Sequence, residues 1–202
     1  MNCKGNQSFS NRNRKNVTLA LLGAVVVILQ VLCTFVKFGP FSITLALAPI
    51  IIGAAVCGLI GGVLLGTLFG LVVLLTGILG WDGGLVMTLM GINPLATIAI
   101  CLVKGAMAGL VSGLIYRLFH RKSDHVGVLF SAVLCPVMNT GLFVLGMSLF
   151  FMPMLQSWAD GSGKSLVYYI IFILAGGNFL VELLSNLVLS TGITRIIRVS
   201  KK

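Results

Sequence analysis

The sequence predicts an all-α integral membrane protein, a six-transmembrane-helix bundle with both termini cytoplasmic. Three observations carry that expectation. Of its 202 residues 58% are hydrophobic and only 9% charged, against about 25% charged in soluble domains. The apolar residues fall in runs of helical length rather than short alternating strands, which favours a bundle over a barrel. The lysines and arginines lie almost wholly between those runs, so the net charge of +10 points to membrane orientation rather than nucleic acid.

Residues 1–16, MNCKGNQSFSNRNRKN, are polar and basic with no apolar face, and are expected to form a disordered cytoplasmic lead. The run 17–36 is longer than a signal-peptide core and no A-x-A site directly follows it, so it is taken as an uncleaved first span. It contains Ala20 and Ala24, small residues four apart that let two helices approach closely. KFGPFS at 37–42 breaks the run with Gly39 and Pro40, between Phe38 and Phe41.

Residues 43–80 hold no charge over 38 positions. As one helix they would reach about 57 Å, too long for one crossing. They divide into spans 43–58 and 61–80, with the break expected at Gly58, Gly61 and Gly62. Gly58, Gly62, Gly66 and Gly70 recur every four residues and mark a packing face. Residues 81–93 form a mixed outer segment with Trp81, Asp82 and a Gly-Gly pair. Pro94 then opens span 94–118 as a favoured first helical residue, capped by Asn93. That span carries Gly105, Gly109 and Gly113 on one face and Lys104 near its middle.

The fifth span, 126–152, is interrupted by Pro136 and by Asn139-Thr140. A polar loop is expected over 153–164. The sixth span, 165–194, holds Asn178, Glu182 and Asn186, and 195–202 is a basic tail. Eleven of the fourteen lysines and arginines fall in the lead, the loop after span four and the tail. An even number of spans puts those three on one side, cytoplasmic by the positive-inside rule. The segments at 37–42, 81–93 and 153–164 then face outward.

A lysine in hydrocarbon costs about 2.5–3.5 kcal/mol on insertion scales, so Lys104 is expected to face inward, with a partner. Counted from the outer ends of their spans, Lys104 lies about 15 Å deep, and Asn139 and Asn178 about 18 Å. Glu182 is one turn below Asn178 and Asn186 one turn below that. One reading is a ligand site in the outer half of spans four to six, with two amides and a cation for an anionic or polar ligand. The other is a Lys104–Glu182 pair, with asparagines bonding neighbouring helices; the two can coexist.

No catalytic residues, cofactor or metal site are expected. No GxSxG, HExxH or Walker A sequence occurs. His120 and His125 lie in or beside a basic loop, and five cysteines without a CxxC pair read as core-filling residues. A stand-alone secondary carrier or channel finds little support, because no inverted repeat or paired broken helices stand out.

The chain resembles the substrate-binding membrane component, the S component, of energy-coupling factor (ECF) vitamin transporters. The resemblance rests on ALLGA at 20–24, ITLALAPIIIGAAVCGLIGGVLLGTLFGL at 43–71, LVKGAMAGLVSGLIYRL at 102–118, NTGLFVLG at 139–146 and NFLVELLSN at 178–186. It implies a subunit that binds a vitamin or precursor with high affinity. That subunit docks on a scaffold membrane protein driven by two cytoplasmic ATPases and topples to deliver its ligand. Ala20 and Ala24 would face the scaffold, and the 37–42 loop would cover the ligand. Phe38, Phe41 and Asn93 join Lys104, Asn139, Asn178 and Glu182 as expected substrate-binding residues. Among ligands, the chain resembles pantothenate-type components, and Lys104 would suit a carboxylate. Riboflavin, folate, hydroxymethylpyrimidine and cobalamin components share the architecture.

Overall fold

The computed structural model describes the backbone of residues 3–35, 37–38, 41–42, 44–121 and 123–200, and the side chains of 13–35, 44–121, 123–176 and 179–199. Its first helix, α1, spans Cys3–Thr34, so residues 3–16 are helical rather than the disordered lead expected. Once a helix has nucleated, each added residue gains a hydrogen bond without a second nucleation cost, and proline first occurs only at position 40. The Thr18 hydroxyl ties into this extension by donating to the Arg14 carbonyl at 2.9 Å.

Two short strands follow, β1 (Lys37–Phe38) and β2 (Phe41–Ser42), paired antiparallel with Phe38 opposite Phe41. Helix α2 covers Leu47–Ile78, but Gly58 within it has φ 83° and ψ −172°. A Cβ on Gly61 would lie 3.2 Å from the Gly53 carbonyl oxygen, and one on Gly62 would lie 2.8 Å from the Ala54 Cβ. In a straight helix residues eight apart are about 12 Å apart along the axis. The chain therefore turns back at Gly58, within the glycine cluster where the break was expected. The limb 47–57 is about 16 Å long and the limb 59–78 about 30 Å. The Gly58 conformation is open essentially only to glycine, although no atom crowds its Cβ position. Gly58→Ala is expected to destabilise the fold by about 1–3 kcal/mol through backbone strain alone. The thermal midpoint in detergent should fall, and an unchanged midpoint would show that the turn does not need glycine.

The limb 59–78 packs antiparallel on α4, Pro94–Phe119. A Cβ on Gly62 would lie 2.6 Å from the Gly109 carbonyl oxygen; Gly66 faces the Gly105 carbonyl and Gly70 that of Cys101. The two glycine series seen in the sequence are thus the two halves of one interface. Asn93 caps α4 by accepting from the Ala96 N–H at 3.1 Å, with Pro94 in the first turn.

Helix α5 (Asp124–Phe150) starts from a Ser123 cap and carries Pro136 within it. Tyr116 donates to the Asp124 carboxylate at 2.6 Å, and the Ser131 hydroxyl to the Ser112 carbonyl at 2.9 Å, which fastens α5 to α4.

The segments 81–93 and 153–164, expected as loops, both contain helix: α3 (Leu85–Ile92) and α6 (Met152–Gly161). Each turns a short apolar face inward. Val86 and Leu89 of α3, and Leu155 and Ala159 of α6, are buried. Asp82 supports the start of α3 by accepting from the Gly84 and Val86 N–H groups, both at 2.9 Å. The last span comprises α7 (Leu166–Tyr168), a π-helical segment Tyr169–Gly176 and α8 (Gly177–Ser200). The helix runs beyond Thr194 into the expected tail because Ile193 and Ile197, one turn apart, bury in the main core beside Leu47 and Ile51.

Leu95, Val188, Leu21 and Ile28 are among many large apolar side chains exposed on the outside. A surface of that kind on long apolar helices is that of a multi-pass membrane protein. Among the described residues, five helices are long and apolar enough to cross a bilayer, with α2 counted once.

Candidate ligand-binding site

An internal cavity of about 80 Å³ lies where the α1 end, the α2–α4 pair, α5 and the last span converge. Its apolar wall includes Phe69 and Val73 of α2, Leu85 and Leu89 of α3, Ile100 of α4 and Leu174 of the π-helical segment. Its polar wall holds Gln30, Thr44, Asp82, Thr97, Lys104, Asn139, Thr140 and Glu182. An apolar pocket with a few converging polar groups is the usual form of a small-molecule site.

Lys104 enters from α4, immediately beside the glycine interface. Its ammonium lies 5.0 Å from the centroid of the Phe143 ring, a cation–π distance. Phe143 stands one turn beyond Asn139 on α5, about 6 Å along the axis. Asn139 is buried, and its Nδ2 donates to the fully buried Glu182 carboxylate at 3.3 Å. Asn186 supports Glu182 from the next turn of α8 by donating to its backbone carbonyl at 2.9 Å.

Three buried oxygens on residues that line this cavity have no hydrogen-bond partner among the described residues: Gln30 Oε1, Asn139 Oδ1 and Thr140 Oγ1. Buried polar atoms are nearly always satisfied, and leaving one unpaired costs about 1–3 kcal/mol. Three converging on one space mark a place built to be filled by a polar guest or by ordered water.

Of the residues singled out in the sequence, the structure brings Lys104, Asn139 and Glu182 to one cavity. Asn93 is spent as the α4 cap and does not line it. The side chains of Asn178, Phe38 and Phe41 lie outside the described residues. Sequence reasoning missed Gln30, Thr44, Asp82, Thr97 and Thr140 as lining residues. Gln30 carried a signal, as the lone amide in the run 17–36.

Ala20 and Ala24 are exposed on α1. With Leu19, Gly23, Leu64 and Leu68 they line an open surface groove between α1 and α2, away from the cavity.

A family model described as the ECF transporter, substrate-specific component, matches residues 14–194, which include every residue of the cavity and of the groove. A search of curated proteins found no significant match.

Proposed function

The chain belongs to the substrate-specific components of ECF transporters, a family of vitamin-uptake subunits rather than enzymes, and from that premise we propose that its cavity binds pantothenate. The observation that carries the reading is that Lys104 lines one cavity with three residues whose neutral oxygens have no partner among the described residues. A cation calls for an anionic group, an amide oxygen calls for a donor, and the Thr140 hydroxyl can take either. Pantothenate offers a carboxylate at one end and hydroxyl and amide groups along the rest. Riboflavin and hydroxymethylpyrimidine have no carboxylate, and so leave the lysine unanswered.

The chain crosses the cell membrane six times in this reading, with both termini cytoplasmic. The turn at Gly58 supports it by dividing α2 into two antiparallel limbs. The distribution of lysine and arginine supports the orientation. The cavity then opens toward the outer segments, with the β1–β2 pair, α3 and α6 on that side. The partners are a scaffold membrane subunit and two cytoplasmic ATPases, with docking along the small, exposed face at Ala20 and Ala24.

Calorimetry of the purified chain against pantothenate, riboflavin, folate, hydroxymethylpyrimidine and cobalamin tests the ligand. Tightest binding to pantothenate is expected, and tighter binding to any of the others would replace it. Ala20→Trp tests the docking face, which lies away from the cavity. The variant should retain wild-type vitamin affinity and lose co-purification with the scaffold subunit. A variant that still co-purifies in full would remove Ala20 from the interface. Uptake that persists without the ATPases would make the chain a stand-alone carrier.

A further inference from the structure

The unpartnered oxygens differ in how firmly their chemistry is set. An asparagine amide can present either its oxygen or its NH2, and its orientation follows from its hydrogen-bond partners. Asn139 has such a partner. Its amide lies 3.3 Å from Glu182 Oε2, and an ionised carboxylate can only accept. With Glu182 ionised the NH2 turns to it, which leaves Oδ1 of this cavity-lining residue with no partner among the described residues. Glu182 is itself fully buried, and Asn186 braces its backbone.

We propose that Glu182 is a positioning residue: it locks the Asn139 amide so that the amide oxygen remains as a hydrogen-bond acceptor at the cavity, and thereby selects ligands that carry hydroxyl or N–H donors as well as a carboxylate. The inference rests on the ligand reading above and sharpens it. Asn139 and Phe143 are one turn apart on α5, about 6 Å along the axis. Lys104 sits over Phe143, and Lys104 and Asn139 line the same cavity, so one ligand can meet both. Gln30 approaches the same space from α1. Its carboxamide oxygen also has no partner among the described residues, and this amide can offer either its oxygen or its NH2.

Two measurements on the full chain test this separately. The first needs no ligand. The side-chain amide resonance of Asn139, assigned by its loss in Asn139→Leu, should show a hydrogen-bonded, exchange-protected NH2 in the wild type. That signature should persist in Glu182→Asp, which keeps a carboxylate. It should be lost or doubled in Glu182→Gln, whose amide accepts either orientation. An unchanged signature in Glu182→Gln overturns the positioning role. The second compares pantothenate with its di-O-methyl ether, which keeps the carboxylate and loses both hydroxyl donors. The wild type should prefer pantothenate at least tenfold, and Glu182→Gln should reduce that preference to about threefold or less. An equal preference in both proteins overturns the donor-reading role. A wild-type chain that binds neither compound but keeps the amide signature would overturn the pantothenate reading alone.

Discussion

Gly66→Val is expected to prevent the protein from reaching its native packing. A Cβ at position 66 would fall onto the carbonyl of Gly105, and a Cβ at 105 onto the carbonyl of Gly66. The obstacle is backbone on both sides, so no rotamer change relieves it. The helices must separate, and separation also opens the contacts of Gly62 with Gly109 and of Gly70 with Cys101. Between helices in lipid the water-driven hydrophobic term is missing and close packing supplies most of the association. Overpacking a core costs about 1–3 kcal/mol when side chains can adjust. A backbone clash at the centre of the largest helix interface should exceed that, against a total stability of about 5–15 kcal/mol. The measurements are recovery of monodisperse protein after size-exclusion in detergent and the thermal midpoint. Gly141→Val is the control, because no atom lies within 4 Å of its Cβ position, and it should behave as wild type. A Gly66→Val protein with the wild-type midpoint would refute the close approach of α2 and α4.

That interface was legible in the sequence as two separate glycine periods, because small residues every four positions are what a helix needs to meet another closely. That each period is the partner of the other was not legible, since pairing depends on where the chain turns. Helices α3 and α6 were missed for a different reason. Each buries only two side chains, so no periodic run stands out from the glycines and polar residues around it. The extension of the last helix carried a usable signal in Ile193 and Ile197, one turn apart, which the neighbouring arginines outweighed. The π-helical segment left no periodic trace at all.

The site divides similarly. Lys104, Asn139 and Glu182 could be found because charged and amide side chains are costly in hydrocarbon and must face inward. Threonines give no such signal. Thr34, Thr67 and Thr76 each donate back to the carbonyl four residues earlier, so a threonine in a span needs no tertiary partner. Thr97 does the same to Asn93 and still lines the cavity. Thr140, without a partner among the described residues, departs from that habit, and the departure is visible only in three dimensions.

Lys104→Met should weaken pantothenate binding by about 30- to 150-fold while leaving the fold intact. Methionine keeps an unbranched apolar chain against Phe143 and removes the charge. A hydrogen bond to a charged group contributes about 1.5–3 kcal/mol, and about 1.4 kcal/mol is tenfold in affinity; a half-buried lysine places the loss in the upper part of that range. Stability should move the other way. With no ligand bound, a cation inside the bundle is a cost, so the methionine variant should melt at or above the wild-type temperature. If Lys104 served only to neutralise Glu182, its removal would leave a buried carboxylate uncompensated, at about 3–5 kcal/mol, and the variant would be unstable. Stability and affinity together therefore separate the two roles proposed for one lysine. The ligand side has a matching test in the primary amide of pantothenate, which keeps the donors and loses the charge. Wild type should bind the amide as weakly as the methionine variant binds pantothenate, and the methionine variant should bind acid and amide alike. A methionine variant that still prefers the acid would place the anion site elsewhere in the cavity.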